Sequence, residues 1–183
     1  MFERLELLIG NKINLLKEKT VMLIGLGGVG SYAFESLLRS GVGTIIVVDS
    51  DTIDETNLNR QLLALKSNIG QFKVDEAEKR KNLINPDCQI VKIKEFITAE
   101  NLASLFTYHI DFLIDAEDTL KTKKLLIKAA LQHQIKFISV MGTGNKMEAS
   151  KLVLTDLKHT AYDPLARNLR NYIKKEHINQ KIP

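Results

Sequence analysis

The chain has 183 residues, 44% of them apolar and 26% charged, with 26 Lys or Arg against 22 Asp or Glu and a net charge of +4. That length is enough for one domain with a sizeable core, and no apolar run is long enough to span a bilayer. Residues 1–20 carry too much charge for a secretory leader, and the one cysteine, Cys88, excludes an internal disulfide framework or a four-thiolate zinc site. A protein of the cytoplasm with no membrane partner is the expectation.

In chain order, residues 1–19 read as a helical arm of two short helices. Thr20-Val21-Met22-Leu23-Ile24 is a β-branched and apolar run, the pattern of a strand buried on both faces. It leads into Gly25-Leu26-Gly27-Gly28-Val29-Gly30, after which Ala33, Leu37 and Leu38 mark a helix closed by Ser40-Gly41. Gly25 permits a tight turn, Gly27 and Gly28 let a ligand approach the main chain, and Gly30 lets helix and strand lie close. Free N–H groups at such a helix start attract phosphate. A structural glycine turn is the plainer reading, but the flanking strand and helix and the carboxylate that follows favour a nucleotide.

Thr44-Ile45-Ile46-Val47-Val48 is the next strand and ends at Asp49-Ser50-Asp51, where a carboxylate can accept hydrogen bonds from both ribose hydroxyls. So far a nicotinamide dehydrogenase fits as well as an ATP enzyme. The polar stretch Thr52 to Gln61, containing Asn57 and Arg60, separates them. After Gly70-Gln71-Phe72 a helix begins with Lys73, a cation opposed to the helix dipole and in need of an anion. Arg60 and Lys73 together would neutralise a triphosphate, which hydride transfer does not require. Solvated surface positions are the alternative for both.

Cys88 precedes a strand near Ile90 and has the setting of a small core residue rather than a thioester nucleophile. His109, His133, His159 and His177 stand singly, without metal or catalytic spacing. Phe112-Leu113-Ile114 forms another strand, and Asp115-Ala116-Glu117-Asp118 puts carboxylates at its C-terminal end. Asp118 is suited to hold magnesium through one carboxylate plus phosphate oxygens and water, with Thr119 capping a helix from Leu120 to Gln134. In that helix Leu125, Leu126, Ala129 and Ala130 form the buried stripe and Lys121, Lys123, Lys124 and Lys128 the fringe.

A strand near Phe137, a turn-rich crossing at Met141-Gly142-Thr143-Gly144-Asn145, a strand Leu152 to Thr155 and a helix Pro164 to Glu176 complete the chain. Residues 151–183 hold seven Lys or Arg and three Asp or Glu, so they carry the whole net charge. Arg167, Arg170 and Lys174 share one helix face, a surface that attracts phosphate backbones. The alternation of elements predicts a Rossmann-like α/β fold with a mostly parallel sheet. A single domain follows, with residues 20–150 as the nucleotide-binding core and 151–183 as a strand and basic helix.

Gly25 to Gly30, Asp49 to Asp51, Asn57 to Gln61, Gly70 to Lys73 and Asp115 to Asp118 resemble the adenylation domain of the ubiquitin-activating-enzyme-like superfamily. Phe2 to Gly10, Leu154 to Leu157 and Asp163 to Ala166 resemble its bacterial tRNA threonylcarbamoyladenosine dehydratase branch. The resemblance implies ATP and Mg2+ as cofactors, Gly28 as a main-chain phosphate contact and Asp49 as the ribose ligand. Asp51, Asn57 and Arg60 would line the nucleotide, Lys73 and Arg60 would touch phosphate, and Asp118 would hold the metal. Arg4 would reach in trans into the site of a second copy.

The implied reaction adenylates the carboxylate of threonylcarbamoyladenosine at position 37 of tRNA, after which the group cyclises with loss of water. Implied partners are tRNA, a second copy in a homodimer and a sulphur-transfer protein. Adenylation of a sulphur-carrier protein's C-terminal glycine and a non-catalytic nucleotide-binding module are the alternatives. Thr119 stands where sulphur-carrier enzymes have Asn, and the chain is shorter than the resemblance leads one to expect, as though truncated.

Overall fold

A computed structural model describes all 183 residues. Five short strands form one all-parallel sheet: β1 (Thr20–Ile24), β2 (Thr44–Val48), β3 (Gln89–Ile93), β4 (Phe112–Asp115) and β5 (Lys136–Ser139). Their order is β3-β2-β1-β4-β5, so the chain direction across the sheet reverses between β1 and β4. In register, Ile24 stands opposite Val48 on one side and Asp115 on the other. The helices are α1 (Glu3–Ile9), α2 (Lys12–Lys17), α3 (Gly30–Ser40), α4 (Lys73–Ile84), α5 (Leu102–Leu105), α6 (Leu120–Gln132) and α7 (Pro164–Lys175).

Strand alternation decides which residues face which helices. Met22, Ile24, Ile46 and Val48 point to one face, where Leu126 and Ile127 of α6 and Ala166, Leu169 and Ile173 of α7 cover them. Val21, Leu23, Ile45 and Val47 point to the other, under Phe34 and Leu38 of α3 and Val74 and Ala77 of α4. Both faces are therefore dry, which accounts for the continuous apolar runs of β1 and β2.

Three expectations need correction. Leu152 to Thr155 is not a strand: a 3-10 turn at Ala149–Lys151 is followed by irregular chain, with Leu152, Val153 and Leu154 exposed. Apolar residues of this kind form a strand only where a neighbouring edge pairs with them, and β5 takes none here. Lys123 is not on the solvent fringe of α6 but fully buried, while Leu125 is half-buried and Ile127 takes its place in the stripe. Thr119 occupies the N-cap position of α6, yet its side chain makes no capping hydrogen bond; its carbonyl instead accepts from Lys123 N at 3.0 Å.

Candidate nucleotide site

The C-terminal ends of β1, β2, β4 and β5 open into one cavity of about 1070 Å³, at the point where strand order reverses. Gly25, at φ +87°, turns the chain out of β1; a Cβ there would lie 2.9 Å from the Ala116 carbonyl oxygen. At Gly30 a Cβ would lie 1.8 Å from the Gly25 carbonyl oxygen, so only glycine lets α3 start this close to β1. No side chain caps α3, whose N-terminal amides adjoin the cavity beside Gly27 and Gly28. Such an end attracts an anion.

Asp49, at the tip of β2, is buried. Its carboxylate accepts from Leu26 N at 2.7 Å and Asp51 N at 2.8 Å, which ties the glycine turn to the strand end. Burial pushes the Asp49 carboxyl up; the Leu26 amide and the Lys73 charge pull it back. Lys73 opens α4 with its ammonium buried in the site, 2.6 Å from Asp51 Oδ2 and 3.8 Å from Asp49 Oδ2. The cation at this helix start is thus held by two carboxylates, of which Asp49 is buried and Asp51 two-thirds exposed.

Asn57 is buried and its Oδ1 accepts from Asp54 N at 3.1 Å, closing the 3-10 turn Glu55–Asn57 that carries Arg60 to the rim. The Arg60 guanidinium donates to the Thr56 carbonyl and Asn59 Oδ1 at 2.8 and 2.9 Å. Its aliphatic stem packs over Gly28, with Cγ 3.5 Å from where a Cβ would stand. Opposite, Asp118 is exposed after β4 and Glu117 is half-buried beside it. Burial, then the neighbouring Asp49, Asp118 and Asp115, push the Glu117 carboxyl up to about 7.

Of the residues singled out from the sequence, Gly25, Gly27, Gly28, Asp49, Asp51 and Asn57 line the cavity, as do Arg60, Lys73 and Asp118. Two do not. Gly30 works one layer back, in the strand–helix contact, and Arg4 is exposed on α1 away from this chain's cavity. Sequence reasoning missed Glu117 as a site residue, and it missed the far wall: Phe96, Met141, Gly142, Thr143 and Leu165. The rule that ligands lie beyond strand C-termini, applied to the strand at Phe137, would have found Met141 to Thr143. Cys88 is buried at the entrance of β3, and burial pushes its thiol up to about 11.

A glycine turn, an uncapped helix start and a buried carboxylate at the β2 tip, meeting at a switch point, are the features of a nucleotide-binding α/β domain. Residues 4–171 match the ThiF family. A tRNA threonylcarbamoyladenosine dehydratase of Bacillus subtilis (strain 168) is 44% identical over 99% of this chain and 72% of its own length. The enzyme of that name from Haemophilus influenzae is 37% identical over 92% of this chain and 64% of its own length. The crystal structure of E. coli tRNA N6-threonylcarbamoyladenosine dehydratase, TcdA, in complex with ATP superposes with a TM-score of 0.93 at 34% identity, covering 96% of this chain and 72% of that one. The chain belongs to the ThiF family, in its tRNA threonylcarbamoyladenosine dehydratase branch.

Proposed function

We propose that the chain binds ATP and adenylates the carboxylate of threonylcarbamoyladenosine in tRNA, acting as a tRNA threonylcarbamoyladenosine dehydratase. The observation that carries the reading is the meeting of Arg60, Lys73 and Asp118 with the glycine turn around one cavity. The high identity to enzymes of that name supports it, as do the TcdA structures holding ATP and AMP.

In this reading the α3 amides and Gly28 hold phosphate, Asp49 the ribose, and Asp51 and Asn57 the nucleoside side of the cavity. Arg60 and Lys73 offset charge on the triphosphate and on departing pyrophosphate. The donor set fits Mg2+: one exposed carboxylate at Asp118, with remaining ligands from phosphate and water, is that ion's usual protein contribution. When bound, the ion would neutralise phosphate charge.

The substrate carboxylate attacks the α-phosphorus and pyrophosphate leaves; the group's own nitrogen then closes the ring on the activated carbonyl and AMP leaves. No protein nucleophile is required, so positioning and electrostatics carry the rate. A tRNA substrate implies a cytoplasmic setting. A homodimer would cover exposed Leu7 and Leu8 on α1 and bring Arg4 towards the partner's cavity; a sulphur-transfer protein remains a candidate partner.

The test incubates the chain with ATP, magnesium and threonylcarbamoyl-bearing tRNA. Ring closure seen by mass spectrometry, with stoichiometric AMP, supports the reading. ATP–pyrophosphate exchange driven only by a glycine-tailed carrier protein would replace it with the carrier-activating alternative.

A further inference from the structure

Eight of the 19 Lys and Arg in residues 1–150 lie within 4 Å of a carboxylate, against one of the seven in residues 151–183. Lys73, Arg80, Lys92 and Lys123 each lie within 4 Å of a carboxylate. In residues 151–183 only Lys151 does, through Glu148. Lys158 donates to the Asn179 carbonyl at 2.8 Å, and Arg170 to the Thr160 carbonyl and hydroxyl at 2.8 and 2.6 Å. These contacts fix where the charges sit without neutralising them.

The fold gathers them. Lys158, Arg170, Lys174 and His177 line a second cleft of about 400 Å³ between α7 and the 3-10 turn Leu157–His159. Arg167 continues the same face of α7 towards its N-terminus, and Lys124 of α6 lies over the Tyr172 ring at 5.1 Å. Leu165, in the first turn of α7, lines the nucleotide cavity. From there to Lys174 the helix rises about 13 Å. One helix thus runs from the wall of the reaction chamber to a cleft of unpaired cations.

We propose that this cleft and the Arg167–Lys174 face of α7 grip the phosphate backbone of tRNA while the modified nucleotide enters the main cavity. The proposal rests on the functional reading above and adds the surface that holds the substrate's polyanion. Charge complementarity carries it: unpaired cations on a rigid helix release counterions when phosphates replace them.

The test compares wild type with the K158Q/R167Q/K174Q variant, whose three side chains are exposed, leaving Arg170 in its Thr160 contacts. A K12Q/K66Q/K136Q control removes as much exposed charge elsewhere. Fluorescence anisotropy with labelled tRNA is read across a salt series, beside an ATP titration and turnover kinetics. The first variant should bind tRNA about tenfold or more weakly, and the slope of log affinity against log salt should fall by about 2. ATP affinity should be unchanged, with KM for tRNA raised more than kcat falls; the control should stay near wild type. Wild-type tRNA affinity in the first variant, or an equal loss in the control, would overturn the surface while leaving the reaction assignment intact. A wild-type chain that binds ATP but neither binds nor converts tRNA would overturn both, and loss of binding to anionic vesicles or acidic peptides alone would overturn tRNA as the occupant.

Discussion

Lys123 Nζ lies 2.9 Å from Asp115 Oδ2, and both side chains are sealed from water at the C-terminal end of β4. Ser139 Oγ of β5 donates to the same carboxylate oxygen at 2.6 Å, and Glu117 N donates to Oδ1 at 3.2 Å. One buried ion pair thus joins β4, β5 and α6, and it fixes the turn that presents Glu117 and Asp118.

Removing the cation strands the anion. Lys123→Ala should destabilise the chain by about 3–5 kcal/mol, because Asp115 would remain buried and uncompensated. Urea unfolding measures this. Lys123→Met paired with Asp115→Leu should recover much of the loss; a double variant no better than Lys123→Ala would mean that packing rather than charge dominates.

Asp118 is exposed, so Asp118→Ala should leave the melting temperature near wild type. Magnesium-dependent AMP release should nevertheless fall by about 100-fold or more, the scale of losing one preorganised electrostatic contact. Undiminished turnover across a magnesium titration would remove the metal assignment.

Two glycines of one turn should fail in different ways. Gly30→Ala drives a methyl into the Gly25 carbonyl and should cost upwards of about 2 kcal/mol in folding stability. At Gly27 a Cβ would meet nothing within 4 Å, so Gly27→Ala should stay within about 0.5 kcal/mol of wild type while weakening ATP. Thermal melts with and without ATP separate the two effects.

Glu117 should give stability a pH dependence of inverted sign. Its folded pKa of about 7, raised first by burial, lies above the ordinary glutamate value of 4.5, so between those limits the folded state holds more protons than the unfolded. Stability from this group is greatest below the lower limit and declines as pH rises to the upper. In chelator-treated protein, Glu117→Gln should flatten that decline; an identical pH profile in both proteins would refute the shift.

Cys88, buried and held largely as the thiol by burial, should react slowly with thiol reagents in the native state. Cys88→Ala should retain adenylation. Loss of AMP formation with an intact fold would revive a covalent thioester role.

Patterning alone was enough for β1, β2, α3 and α4, because strand and helix periods and glycine conformation are local properties. The positions of the glycine turn, Asp49, Lys73 and Asp118 were legible for the same reason, each lying beside the C-terminal end of a strand or at the start of a helix. Asn57 and Arg60 instead sit in the 3-10 turn and loop between β2 and α4, and were singled out through their polar run and the family resemblance. The sheet order, and so the single cavity those residues share, was decided by tertiary packing. So were the failures. Leu152 to Thr155 looked like a strand but does not pair with the β5 edge, and Lys123 looked like a surface lysine because its partner, Asp115, lies on another element. A side chain's spacing is written in its own segment, whereas its neighbours across the fold are set only when distant segments compete to exclude water and satisfy buried charge.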